Sequence, residues 1–84
     1  MVQWFIKGYR SLEEFTSLTI SGGLSTTEIS RILKLLYAQH LTTEEIRRSS
    51  LRKNMRDYIP LLETRVKGST VEIGENPHFI ARRR

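Results

Sequence analysis

"EEIRRSSLRKNMRDYI", residues 44–59, carries Arg47, Arg48, Arg52, Lys53 and Arg56 with no acid between the first and the last. Ile46, Leu51, Met55, Tyr58 and Ile59 keep a helical beat through the same stretch. Apolar residues at that spacing line one face of a helix, which leaves the cations on the other. The reading of this stretch decides the fold. Taken as helix, break and helix, it predicts a short helix over about Thr43–Arg48, with Ile46 inward and Ser49 or Ser50 as the next cap. A third helix then runs over about 50–65 with Leu51, Met55, Tyr58, Ile59 and Leu62 on one face. Pro60 lacks the amide that would bond Arg56 and its ring meets that carbonyl, so a kink or a fresh turn is expected there. Gly68 suits the left-handed C-cap.

The start of the third helix has an unusual charge. Ser11–Glu14, Ser25–Glu28 and Thr42–Glu45 each place a carboxylate three residues after a hydroxyl, the pattern of a capping box. After Ser50 come Leu51, Arg52 and Lys53, and cations at a helix N-terminus oppose its dipole by roughly 0.3–1 kcal/mol each. An anion at that terminus would reverse the sign of the effect.

Outward from this stretch, 26–39 is the clearest helix: Ile29, Ile32, Leu33, Leu36 and Tyr37 share one face. After Gly68 the apolar period falls to two. "STVEI" and "HFIARRR", joined by the turn residues "GENP", predict a β-hairpin. The first 24 residues are mixed. "VQWFI" reads as a strand or an apolar arm, and the cap at Ser11 predicts a helix over "SLEEFTSLTIS" ahead of the Gly22–Gly23 break.

Eighty-four residues form one domain with a small core. The net charge of +5 is uneven: residues 1–46 sum to −1 and residues 47–84 to +6. Such an excess points to a polyanionic partner. With no cysteine there is no disulfide framework and no thiolate site. No apolar run approaches the roughly 20 residues of a membrane span. The N-terminus has no secretory signal pattern. An intracellular, cytoplasmic protein is expected, with no membrane partner.

His40 and His78 stand alone, without ligand partners at metal spacing. No nucleophile or phosphate loop is apparent, and most carboxylates serve as caps. No enzymatic activity, cofactor, metal or small-molecule ligand is expected. Trp4, Phe5, Tyr9 and Phe15 lie near basic residues, which suits stacking on single strands. Core or dimer packing is the stronger reading of those aromatics.

"LTTEEIRRSSLRKNMRDYIPLLETR" resembles the helix-turn-helix of winged-helix DNA-binding domains, with "ISRILKLLYAQH" similar to the helix that precedes it. The resemblance covers about residues 25–84. It departs from that family in the tight turn at Ser49–Ser50 and in Pro60. It implies an α+β fold: a three-helix core with a C-terminal β-hairpin wing over 69–82, plus an N-terminal extension over 1–24 that could mediate homodimerisation. The implied function is sequence-specific binding of double-stranded DNA by a transcriptional regulator. Ser50, Arg52, Lys53, Asn54 and Arg56 would then enter the major groove, where arginine reads guanine and asparagine reads adenine. Thr42, Thr43, Arg47, Arg48 and Ser49 would clamp the backbone. Lys67, Asn76, His78, Arg82, Arg83 and Arg84 would follow from wing and tail. The alternatives are a protein-interaction module, an architectural, excisionase-like or replication accessory factor, and an RNA-binding role.

Overall fold

Alternation rather than helical spacing governs both ends of the chain. The computed structural model describes residues 3–84; Val2 of the "VQWFI" reading lies outside them. In β1 (Gln3–Arg10) Trp4, Ile6 and Gly8 are buried, while Phe5, Lys7 and Tyr9 point to the other side. β2 (Glu13–Ser21) returns antiparallel beside it, with Leu18 opposite Ile6 and Ile20 opposite Trp4. Two helices follow, α1 (Thr26–Ala38) and α2 (Thr43–Ser49). A meander of β3 (Thr64–Lys67), β4 (Thr70–Ile73) and β5 (His78–Arg83) closes the chain. All five strands join one antiparallel sheet in the order β2-β1-β5-β4-β3.

Two of the three predicted caps form. Ser25 Oγ accepts from the Glu28 amide at 3.2 Å, and the Glu28 carboxylate accepts from the Ser25 amide at 3.1 Å. Thr42 and Glu45 repeat the arrangement at 3.1 and 2.8 Å. α1 lays Ile29, Leu33 and Tyr37 on one face of the sheet, against β3, β4 and β5. There they meet Trp4, Ile6, Val71, Ile73, Phe79 and Ala81. The indole nitrogen of buried Trp4 donates to the Leu24 carbonyl at 3.0 Å, so its polar atom is satisfied.

The winged-helix expectation is overturned: the described residues form a five-stranded antiparallel sheet with two helices, not a three-helix core. The third helix, expected over about 50–65, does not form. Residues 51–63 make isolated turns, in which the Met55 amide donates to the Arg52 carbonyl and the Tyr58 amide to that of Met55. Between the end of α2 and Pro60 too few residues remain for a helix that packing does not support, since isolated helices below roughly 12–15 residues are marginal. The expected apolar stripe is not buried either: Met55 is 49% exposed, and of this segment only Leu61 and Leu62 pack on the core. Arg52 and Lys53 oppose a helix start; in the loop that forms instead, Lys53 pairs with Glu63 and Arg52 has no anionic partner among the described residues.

The predicted hairpin exists, with Val71 and Ile73 both buried as the alternation implied. It is not a peripheral wing. β5 lies at the centre of the sheet and pairs with β1. Residues 3–24 are therefore no appendage, because β1 and β2 complete the same sheet. Gly68, read as a helix C-cap, instead turns β3 into β4 with φ +62°.

The helix expected from Ser11 is β2. Thr16, Leu18 and Ile20 alternate as β-branched and apolar residues suited to a half-buried strand, and that pairing outweighs a loose capping pattern. Ser11 and Leu12 form a two-residue turn between Arg10 and Glu13, both at positive φ (50° and 73°). Such a turn matches strand twist but favours Asn-Gly, which explains why Ser-Leu did not signal it.

Candidate nucleic-acid interface

One face of the sheet is covered by α1; among the described residues no helix packs on the other. Strand register arranges this open face in rows. Thr19, Phe5, Arg82, Thr70 and Lys67 lie side by side across the strands. The next row is Ser17, Lys7, Ile80, Glu72 and Arg65, and a third begins with Glu14, Tyr9 and His78. Neighbours in a row are roughly 4.8 Å apart and rows roughly 7 Å apart. Phe5 and Tyr9 therefore stand roughly 13 Å apart along β1, with Lys7 between them. Both residues are half-buried on this face.

Cations surround the aromatics. The Arg84 guanidinium lies 5.5 Å from the centre of the Phe5 ring, and Arg82 is the cross-strand partner of Phe5. The two acids within the rows are already engaged: Glu14 pairs with Lys7 at 3.2 Å and Glu72 with Arg65 at 3.3 Å. Lys67, Arg82 and Arg84 make no ion pair among the described residues. A half-open groove of about 700 Å³ lies over the face, lined by Phe5, Tyr9, Ile80 and Arg82 and bounded at one end by the Ser11–Leu12 turn, Glu75 and Asn76. The Ser11 amide donates to Asn76 Oδ1 at 3.2 Å, which ties that turn to the β4–β5 turn.

The sequence-predicted residues divide between two places. Lys67, His78 and Arg82 stand on the open face, with Arg84 beside it and Asn76 at its end. Arg83 points to the helix side, its guanidinium 5.7 Å from the Trp4 ring. The other group lies on α2 and the loop after it. Thr42 is the N-cap, Thr43, Arg47, Arg48 and Ser49 are helical, and Ser50 is the C-cap. Arg47 is paired with Glu44, and Arg48 donates to the Asp57 carbonyl at 2.8 Å. Lys53 pairs with Glu63 at 3.1 Å, and that contact raises the lysine pKa and, with the Tyr58 hydroxyl, lowers that of Glu63. In this loop only Arg52 and Arg56 remain without an anionic partner among the described residues, and Asn54 is exposed beside them. No single groove-reading element brings these side chains together.

Phe5, Lys7, Tyr9, Arg65 and Ile80 were missed as a group. Their signal was the alternation in "QWFIKGYR", which separates Trp4, Ile6 and Gly8 from Phe5, Lys7 and Tyr9. Of the four aromatics weighed for stacking, Trp4 belongs to the core, while Phe15 contacts Phe79 and His40 edge-on at 5.7 and 5.5 Å. Gly8 admits this packing, because a Cβ there would lie 2.8 Å from Phe79 and 2.7 Å from Thr16. His40 Nδ1 accepts from the Arg10 guanidinium at 3.1 Å, and its ring packs against Phe15 and Phe79.

Among the described residues no three His, Asp or Glu side chains gather as a metal site, and no helix is long and apolar enough to cross a membrane. Comparisons of the chain with protein-family models, with curated proteins and with solved structures gave no match.

Proposed function

We propose that this protein binds single-stranded nucleic acid across the open face of its sheet. The observation that carries the reading is the row structure: Phe5 and Tyr9 project from one strand on either side of Lys7, with Arg82 and Arg84 beside Phe5. Aromatic rings on a sheet offer flat surfaces to unstacked bases, and adjacent cations follow the phosphates. A duplex keeps its base faces stacked inside and offers nothing for these rings to cover. The expectation of a double-stranded DNA regulator rested on a recognition helix, whereas the excess of positive charge that suggested a polyanion remains.

The test is fluorescence anisotropy with a labelled single strand and a random-sequence duplex across a salt series. The single strand should bind more tightly, with log affinity falling by roughly 0.7 per phosphate contact for each unit of log salt. An Arg82→Ala, Arg84→Ala double variant should flatten that slope, while Arg52→Ala, Lys53→Ala, Arg56→Ala should alter it little. Preference for the duplex, weakened only by the triple variant, would overturn the reading and place double-stranded DNA on the loop after α2. No binding of either at low salt would assign the face to a protein partner.

A further inference from the structure

The sheet has two edges, and they are built differently. β3 is four residues long and carries Arg65 and Lys67, features that discourage pairing with another strand. β2 runs for nine residues with neither proline nor cation, and after Glu13 and Glu14 it reads "FTSLTIS" without a charge. Only β1 pairs with it among the described residues. The register shift at Gly8/Tyr9 leaves Phe15 as an extra residue near the first end of β2, while Thr16–Ser21 stays in regular register. Leu18 and Ile20 pack on the core yet remain partly exposed at this edge.

We infer that two copies of the chain associate through antiparallel pairing of their β2 edges. Directly opposed residues in an antiparallel pair share a face, so a two-fold axis normal to the sheet must pass beside one residue rather than between two. Set beside Leu18, it places Leu18 against Leu18 of the second copy and Thr16 against Ile20 on the helix side. Ser17 then meets Thr19 on the open side. Every such pair is uncharged, and three of the contacting residues are β-branched. Glu13 and Glu14 of each copy lie toward the Gly22–Gly23 bend of the other, away from its acids.

Charge leaves this edge as the one where a second copy meets least repulsion. Thr16–Ser21 is uncharged, Glu14 is paired with Lys7, and the excess of positive charge lies in residues 47–84. Meeting here keeps the two basic regions apart. The resulting continuous sheet has both open faces on one side, separated along the order β1-β2-β2-β1. The inference does not depend on what those faces bind.

Sedimentation velocity of the full chain from micromolar to sub-millimolar concentration should show a monomer–dimer equilibrium. Ser17 and Thr19 are exposed and outside the core. A Ser17→Lys, Thr19→Lys variant should therefore keep its circular dichroism while association weakens at least ten-fold. Ser17→Glu, Thr19→Glu should do the same. An equimolar mixture of the two should recover the dimer, because the Ser17→Lys side chain of one copy then faces the Thr19→Glu side chain of the other. Independently of any variant, amide exchange at Thr16–Ser21 in the natural chain should slow as concentration rises. A monomer throughout the range, association unaltered in the lysine variant, failure of the mixture to pair, or exchange independent of concentration would each overturn the inference.

Discussion

Truncating Phe5 and Tyr9 together should abolish most binding to single strands without unfolding the protein. Stacking of one base on an aromatic ring is worth roughly 1–3 kcal/mol by alanine substitution. Four residues along β1 separate the two rings by roughly 13 Å, and sites more than about 7–10 Å apart act nearly additively. Phe5→Ala, Tyr9→Ala should therefore lose roughly 2–6 kcal/mol, or about 30-fold to more than 10⁴-fold in affinity at 1.4 kcal/mol per factor of ten. Both rings lie on the face opposite α1, so the core of Trp4, Ile6, Phe79 and Ala81 is left intact. The salt slope should stay as in the parent because Lys67, Arg82 and Arg84 are still present. Anisotropy with a labelled single strand gives the affinity, and a thermal melt monitors the fold. An affinity within three-fold of the parent in a folded double variant would refute stacking. A flattened slope would mean that the rings had only positioned the cations.

Three further expectations concern stability. Leu12 occupies the left-handed region at φ 73°, which disfavours a side chain by roughly 1–2 kcal/mol, less the roughly 0.4–1 kcal/mol that glycine adds to unfolded-state freedom. Ser11→Asn, Leu12→Gly should thus raise Tm by a few degrees in a calorimetric scan, and an unchanged or lower Tm would show the turn to be unstrained. Gly8→Ala should lower Tm, since the added carbon would meet Thr16 and Phe79 well inside contact distance. Overpacking of this kind costs about 1–3 kcal/mol, with about 4–8 °C lost per kcal/mol in a domain of this size, and an unaltered Tm would mean that the two neighbours yield freely. In acid, the amide and hydroxyl of Ser25 hold the Glu28 carboxyl below its ordinary value of 4.5. A depressed folded pKa contributes stability above the unfolded value and loses it as pH falls through the folded one. The Tm of the parent should fall below about pH 4.5 more steeply than that of Glu28→Gln, which cannot titrate at this position; parallel curves would remove the cap from the acid response.

Local chemistry determined the parts of this protein that need only near neighbours. Hydroxyl, carboxylate and a 3.6-residue apolar stripe set α1, and a similar cap set α2. Alternation of Val71 and Ile73 around "GENP" set the last hairpin. The sequence by itself also confined the net positive charge to the second half. Only tertiary structure decided the rest, because strands are completed by partners distant in the chain. β1 becomes a central strand through β5, more than sixty positions away, and that pairing turns an apparent N-terminal extension into the middle of the sheet. The same contacts outweighed the capping pattern at Ser11. The basic stretch at residues 51–59 found no surface on which to lay a helical face, and Pro60 barred its extension. The open face was legible only as an alternation in β1. Its meaning came from register, which brings Arg82 beside Phe5 and Ile80 beside Lys7 across a ladder that no local pattern specifies.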